Sequence, residues 1–121
     1  MGTALVVDDS LTDMQILIHC LQQGGVNVLV AQSGEEALAT ITKQKPDVVV
    51  LDVVLPGRSG FEVCRELKER ADTSDIPVII CSTKGSAMDK FWGMKQGAAA
   101  YLSKPIDQEE FLRTVKQLIK P

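Results

Sequence analysis

A three-layer α/β sandwich with one parallel sheet is the fold class that this sequence predicts, and two observations predict it. Short apolar runs alternate with amphipathic segments along all 121 residues. The apolar runs are continuous rather than alternating in polarity, which is typical of strands buried on both faces by crossover helices. We therefore expect about five βα units with right-handed crossovers, in one domain spanning residues 1–121.

The apolar runs give the predicted strands in order: residues 4–7, 26–31, 48–51, 78–81 and 98–102. Apolar residues recur on one face of the first and last predicted helices, namely Leu11, Met14, Leu17, Ile18 and Leu21, then Phe111, Val115, Leu118 and Ile119. Ser33, Ser59 and Asp107 each stand three residues before a Glu, a pattern typical of helix N-caps. Gly24-Gly25 and Gly97 indicate helix ends.

Composition and charge exclude several classes of function. Hydrophobic residues make up 45% and charged residues 24%, as in an ordinary globular protein, and the net charge of −3 argues against nucleic acid as a direct partner. Cys20, Cys64 and Cys81 are far apart and His19 is the single histidine, so neither a disulfide framework nor a zinc site is indicated. Neither a signal peptide nor a membrane-spanning stretch is visible, and we expect a cytoplasmic protein that does not insert into a membrane.

Acidic residues follow two of the predicted strands. Asp8 and Asp9 come directly after the first strand, and Asp52 comes directly after the third. In a flavodoxin-like strand order, 2-1-3-4-5, these two strands are neighbours at the point where the order reverses, which is where ligands bind. Crowded carboxylates repel unless a cation neutralises them, and oxygen ligands with partial hydration favour Mg²⁺. The alternative is that each Asp caps its own loop.

Two further polar side chains are expected in the same crevice. Lys104 follows the fifth predicted strand and Ser82 follows the fourth. An ammonium there could hold a phosphoryl oxygen, and a hydroxyl could donate to another. The alternative is a solvated Lys104 and a Ser82 that serves as a cap or turn residue. Pro105, next to Lys104, allows a cis peptide bond that fixes a tight turn.

With these acids, Ser82 and Lys104-Pro105 together, the chain resembles the CheY-like receiver domains of bacterial two-component signalling over its whole length. The residues that carry the resemblance are Val6 to Ser10, Leu51 to Gly60, Ser82, Tyr101 and Lys104-Pro105. The resemblance implies that Asp52 is the phosphoacceptor, that Asp9, Asp52 and the Val54 carbonyl join around Mg²⁺, and that Asp8 acts through water. It also implies that Ser82 and Lys104 grip the phosphoryl group, that the Lys104–Pro105 bond is cis, and that Tyr101 reports phosphorylation on the fourth-helix face.

A receiver of this kind is a phosphorylation switch and not an enzyme. The resemblance implies a stand-alone, monomeric response regulator that takes its phosphoryl group from a sensor histidine kinase. It would signal to a downstream protein through the surface of the fourth helix, fifth strand and fifth helix. Phe91 and Trp92 on the fourth helix are candidates for that output face, and the alternative is that they pack in or near the core.

A narrower resemblance concerns the second half of the chain. Residues 73–80, 82–84, 89–90, 92–93 and 96–98 are similar to PilH-like receivers. Those receivers serve chemotaxis-type pathways that control type IV pilus motility, which is the pathway that we expect here.

Three positions depart from the commonest receiver pattern. Val54 is apolar where some receivers carry a polar residue, Thr83 stands where many keep Ala, and Lys84 is basic where others carry an acid. Val54 cannot hydrogen-bond to an attacking water, Lys84 offers a donor in place of an acceptor, and Thr83 could narrow the path of a donor or water to Asp52. We therefore expect them to lengthen the lifetime of the phosphorylated form.

Two other classes of protein compete with the phosphorylation switch. A hydrolase of the haloacid-dehalogenase kind would need a second Asp two residues after its nucleophile, where this chain has Val54. A pseudo-receiver, which keeps the fold without being phosphorylated, usually lacks an acid or the lysine. Here Asp8, Asp9, Asp52 and Lys104 are all present.

Overall fold

Five strands and five helices alternate strictly along the computed structural model, which describes residues 2–119. The strands are β1 (Thr3–Val7), β2 (Asn27–Ala31), β3 (Val48–Leu51), β4 (Val78–Ser82) and β5 (Ala100–Ser103). The helices are α1 (Leu11–Gln23), α2 (Gly34–Lys43), α3 (Gly60–Glu69), α4 (Ala87–Lys95) and α5 (Gln108–Leu118).

The strands form one parallel sheet in the order β2-β1-β3-β4-β5, which confirms the predicted order. The three central strands are buried along almost their whole length, because helices cover both faces of the sheet. The two edge strands are partly exposed. The continuous apolar runs of β1, β3 and β4 therefore reflect burial on both faces of the sheet, as the sequence predicted.

Two hydrophobic clusters fill the spaces between the sheet and the helices. Met14 and Leu17 of α1 and Phe111 of α5 pack on one face of the sheet. Val63 and Leu67 of α3 pack on the opposite face together with α2. The α4 helix lies on this second face, where Gly93 approaches the Ile80 side chain of β4. The predicted three-layer arrangement is confirmed.

The strands β2 and β5 begin later than predicted, because the first residues of each apolar run form hydrogen bonds to the end of the preceding helix. The backbone N–H of Val26 donates to the Leu21 carbonyl at 3.0 Å, so this residue closes α1 instead of opening β2. Ala98 closes α4 in the same way, through a 3.3 Å bond to the Gly93 carbonyl. The reversal between α4 and β5 turns on Gly97, whose φ of +101° lies in the region that favours glycine.

Most local helix signals are confirmed. The side chains of Ser33, Ser59 and Asp107 each accept a hydrogen bond from the backbone N–H three residues later, at 3.1, 3.2 and 3.1 Å. One prediction about the apolar faces is wrong. Leu11, in the first turn of α1, is 63% exposed. Ile119 is the C-cap residue of α5 and packs against the same cluster as Phe111, as predicted.

Within residues 2–119, none of the helices combines the length and the apolar character needed to cross a membrane.

Candidate functional site

The backbone holds three of the predicted site residues at one edge of the sheet. Asp8, Asp52 and Lys104 each donate their backbone N–H to the last carbonyl group of the neighbouring strand, at 3.1, 3.0 and 2.9 Å. Each residue therefore continues the parallel ladder by one step beyond its own strand. Their side chains consequently meet at the carboxyl ends of β1, β3 and β5, as the acids at the strand ends predicted.

The Lys104 ammonium is the centre of this cluster. Its Nζ lies 2.8 Å from Asp8 Oδ2, 2.9 Å from Asp52 Oδ2 and 2.9 Å from Asp13 Oδ2. An ammonium has three N–H donors, so all three are engaged. The side chains of Lys104, Asp8 and Asp52 are buried, whereas that of Asp13 is 38% exposed.

The second oxygens of the two buried carboxylates cap their own loops. Asp8 Oδ1 accepts from the Ser10 backbone N–H at 2.9 Å, and Asp52 Oδ1 accepts from the Val54 backbone N–H at 3.2 Å. The loop-capping alternative is therefore correct for one oxygen of each residue. The other oxygen of each faces Lys104 and the crevice.

Burial and ion pairing oppose each other at this cluster. For Lys104, burial alone would lower the pKa, but the bonds to Asp8, Asp52 and Asp13 outweigh it and raise the pKa above its ordinary value. Burial raises the pKa of Asp8, and the bonds from Lys104 and the Ser10 backbone work against that rise. Lys104 is therefore held as a cation that shields the carboxylates from one another.

The carboxylate oxygens around Lys104 are ligands of the type that Mg²⁺ prefers. Three carboxylates on one ammonium leave an excess of negative charge at the crevice, which a hard dication would neutralise. Asp9 is exposed beside them, and no hydrogen bond or ion pair joins it to another described residue. In residues 2–119 no three His, Cys, Asp or Glu residues are already grouped closely enough to hold a metal ion. Lys104 occupies the oxygens of Asp8 and Asp52 that face the crevice.

A chain of hydrogen bonds leads from the end of β4 to β5. The buried Ser82 hydroxyl accepts from the Lys84 backbone N–H at 3.2 Å, and the Tyr101 hydroxyl donates to the Lys84 carbonyl. The Tyr101 ring lies against α4, where a Cβ added to Gly93 would come within 2.7 Å of its Cδ2. Burial, first among the causes, raises the pKa of Tyr101 to about 12.

The remaining predicted residues lie on the surface or beside the crevice. Val54, Thr83 and Lys84 are exposed, and the Lys104–Pro105 peptide bond is cis. Phe91 and Trp92 are 59% and 45% exposed on α4, so neither is a core residue.

The cysteines are free and buried in the two hydrophobic clusters, as small apolar residues: Cys20, Cys64 and Cys81. Burial raises the pKa of Cys64 to about 11, which keeps it a neutral thiol.

Asp13 is the one carboxylate of the cluster that the sequence analysis missed. It lies in the first turn of α1, where an acidic residue is ordinarily explained by the helix dipole. Its spacing of three residues after Ser10 fits an N-cap pattern, and Asp13 N–H does donate to Ser10 Oγ at 3.3 Å. That signal locates a helix start, but it says nothing about Lys104.

Comparison with known proteins agrees with this geometry. Residues 4–116 match the family model described as the response regulator receiver domain. The chain is 45% identical over 119 residues to Protein PilH of Pseudomonas aeruginosa, covering 98% of both chains.

Solved structures are similar over the same span. A putative response regulator from Chloroflexus aurantiacus superposes with a TM-score of 0.94 at 36% identity, with 98% of this chain and 97% of that chain covered. The chemotaxis response regulator CheY4 of Vibrio cholerae gives 0.89 at 34% identity, with 98% of each chain covered. Receivers are signalling proteins that work with histidine kinases and are not conventional enzymes. The fold, the acids at the strand ends and the family match together make this chain a member of the response regulator receiver domain family.

Proposed function

We propose that Asp52 accepts a phosphoryl group from a sensor histidine kinase in a Mg²⁺-dependent reaction, and that the domain reports this on its α4-β5-α5 surface. The observation that carries the proposal is the contact between Lys104 Nζ and Asp52 Oδ2, in a buried crevice at the switch point of the sheet. A buried lysine on the acceptor carboxylate is suited to hold an incoming anionic group.

The chemical step transfers the phosphoryl group from a histidine nitrogen of the kinase to the Asp52 carboxylate. An Asp52 carboxylate oxygen attacks the phosphorus, the new phosphorus–oxygen bond forms, and the phosphorus–nitrogen bond to the kinase histidine breaks. The histidine leaves with the bonding electron pair. Lys104 and the Ser82 hydroxyl donate hydrogen bonds to the phosphoryl oxygens. This role would account for the cation on the Asp52 carboxylate and for the buried hydroxyl of Ser82 at the end of the neighbouring strand β4.

Asp9, Asp52 and the Val54 carbonyl are the proposed Mg²⁺ ligands, with Asp8 acting through water. Their oxygen atoms are the hard donors that this ion prefers. When bound, Mg²⁺ spreads the charge of the transferring group.

The hydrogen-bond chain from Ser82 to Tyr101 supports a route from the site to the surface. A Ser82 hydroxyl that turns toward the phosphoryl group gives up its bond to the Lys84 backbone N–H. The loop that carries the Lys84 carbonyl is then free to release the Tyr101 hydroxyl. The Tyr101 ring rotates into the space that Ser82 has left, and the α4 surface with Phe91 and Trp92 changes.

A small-molecule phosphoryl donor tests the acceptor assignment. Acetyl phosphate with Mg²⁺ should add one phosphoryl group to the chain, mapped by mass spectrometry to Asp52. The matched control is Asp52→Asn, which keeps the size of the side chain and replaces the nucleophilic carboxylate with a neutral amide. Modification that persists in this variant, or that proceeds without a divalent cation, would overturn the proposal.

The exposed side chains beside the crevice bear on how long the phosphoryl group lasts. Val54 cannot hydrogen-bond to an attacking water, Lys84 presents a donor instead of an acceptor, and Thr83 adds bulk. We expect the Val54→Asn, Lys84→Glu double variant to lose its phosphoryl group faster than the native chain, on the order of tenfold. Following the decay of the modified protein by mass spectrometry checks this. Equal decay would mean that these positions do not set the lifetime.

Partners and setting are part of the same proposal. The 45% identity to PilH and the likeness to a chemotaxis response regulator support a chemotaxis-type pathway, and we propose pilus motility as its output. Residues 1–121 would act as one monomeric receiver domain in the cytoplasm, signalling by contact with a downstream protein. A pull-down with and without the phosphoryl mimic beryllofluoride should capture that protein only in the presence of the mimic.

A further inference from the structure

We propose that Asp13 is a positioning residue for Lys104, holding its ammonium at the crevice when Asp8 and Asp52 take up other ligands. This inference rests on the proposed phosphorylation of Asp52. It concerns a residue to which neither the strand-end pattern nor the receiver resemblance gives a role. Its basis is that the Lys104 ammonium is shared by three carboxylates, two that directly follow β1 and β3 and one in the first turn of α1.

Asp13 differs from the two other partners of Lys104 in where it lies. Asp8 and Asp52 are 2% and 10% exposed and line the crevice itself. Asp13 is 38% exposed and lies on the α1 side, where it lines a cavity of about 220 Å³ together with Lys104 and Pro105. Its carboxylate is therefore outside the proposed metal and phosphoryl positions.

The backbone of Asp13 is tied to the site by two hydrogen bonds. Ser10 N–H donates to Asp8 Oδ1 at 2.9 Å, and Asp13 N–H donates to Ser10 Oγ at 3.3 Å. These bonds link the end of β1 to the first turn of α1. Asp13 is thus held at a defined position relative to Asp8, and its carboxylate is a fixed point for the Lys104 side chain.

Phosphorylation changes what Lys104 must contact. An acyl phosphate on Asp52 presents new anionic oxygens. A dication at the proposed site, held by Asp9 and Asp52 with Asp8 acting through water, would repel the ammonium from the Asp8 and Asp52 oxygens that it contacts in the free protein. Two of the three N–H donors must therefore change partners. The bond to Asp13 needs no change, because Asp13 is neither the phosphoacceptor nor a proposed metal ligand. This bond keeps the ammonium next to the phosphoryl group while the other two N–H donors of Lys104 change partners.

The experiment compares Asp13→Asn and Asp13→Glu in the full chain, with Glu109→Gln as the control. Glu109 is also a first-turn helix acid, in α5, and it has no bond to Lys104. The limiting rate of phosphorylation by acetyl phosphate should fall roughly three- to tenfold in Asp13→Asn, and recover at least in part in Asp13→Glu. The half-saturating donor concentration should not rise, because a negative charge has been removed.

A spectroscopic readout separates positioning from a purely structural role. In the native beryllofluoride complex, the Lys104 ammonium protons should give a nuclear Overhauser cross-peak to the Asp13 β-protons, as they should in the free protein. The ammonium signal should broaden by fast exchange in Asp13→Asn and persist in Glu109→Gln.

Three outcomes decide the inference. Loss of the Asp13 cross-peak in the native complex, or an unchanged limiting rate in a folded Asp13→Asn variant, would overturn it and leave the acceptor assignment intact. The native cross-peak does not depend on whether any variant folds. Phosphorylation that persists in Asp52→Asn would instead overturn the proposed function on which the inference rests.

Discussion

At the scale of single residues, the shared Lys104 ammonium explains how this site holds carboxylates that repel one another. Lys104 and two of its carboxylate partners are at most 10% exposed, so their attraction is weakly screened. Removing one partner from such a buried set leaves an uncompensated charge, which is costly. The cluster is therefore stable as a unit, and under the proposed function its members exchange partners when Asp52 is phosphorylated.

Tyr101 is the single tyrosine of the chain, so an absorbance titration reports it directly. Burial raises its pKa from the ordinary value of 10.0 to about 12, which favours the protonated hydroxyl that donates to the Lys84 carbonyl. We predict a titration midpoint near 12 for the folded protein. The unfolded chain releases this proton first, so stability should fall as pH rises from 10 toward 12. A midpoint near 10 would show that the ring is not held against α4.

Gly60 is the glycine on which the acceptor loop depends most. A Cβ at this position would clash with the Asp52 carbonyl oxygen and lie 2.9 Å from Val53 Cα, both backbone atoms that cannot easily move. Gly60→Ala should therefore lower the free energy of unfolding by about 2 kcal/mol or more. It should also slow the phosphorylation of Asp52.

Gly34→Ala is the matched control for this substitution. Gly34 is also the first residue of its helix, but its added Cβ would meet side chains and no backbone atom: Val63 Cγ2 at 2.6 Å and Arg58 Cβ at 3.7 Å. Denaturant unfolding of both variants checks the difference. Equal losses of stability, with no change in phosphorylation, would mean that the contact with the Asp52 backbone is unimportant.

At the scale of elements, α4 stands apart from the other helices because so little of it is buried. Gly93 is its buried residue, whereas Met88, Phe91, Trp92 and Met94 are exposed by 45% or more. Few buried contacts mean a low free energy of local opening. The N-terminal end is nevertheless well capped, by a reciprocal pair of bonds between Ser86 and Asp89. The helix is thus well capped at its start but packs on the sheet through few buried residues, as the proposed output surface would require.

Gly93→Ala tests the contact between α4 and Tyr101. Alanine is the better helix former by roughly 0.5–1 kcal/mol, but its Cβ would come within 2.7 Å of the Tyr101 ring. We predict that the ring leaves α4, loses its bond to Lys84, and titrates closer to 10 than to 12. Lys90→Ala, on the exposed side of the same helix, should leave the titration unchanged. An unaltered midpoint in Gly93→Ala would contradict the close packing of the ring.

The helix signals show what local sequence can predict and what it cannot. The caps at Ser33, Ser59 and Asp107 depend on residues three positions apart, so they could be predicted from local spacing alone. The starts of β2 and β5 could not, because a helix end and a strand compete for the same apolar residues. The exposure of Phe91 and Trp92 also depends on tertiary packing, since α4 has apolar residues around much of its circumference.

At the scale of the whole molecule, the order of the strands determines the site. The alternation of elements predicts the parallel sheet, and the sheet brings the residues that follow β1, β3 and β5 to one edge. This is why Asp8, Asp52 and Lys104 could be predicted to meet. The contribution of Asp13 could not be predicted, because it is 91 positions from Lys104 and lies in a helix that only the folded structure brings over the crevice.

The most direct test of the central claim is an amide NMR comparison of the free protein with its Mg²⁺–beryllofluoride complex. If a charge placed on Asp52 is reported at a distance, signals along α4 and β5 should shift while those of α2 stay largely unchanged. Asp52→Asn should show none of these shifts. Perturbation confined to the loop around Asp52 would contradict the account, because the site would then act without any change at the α4 surface.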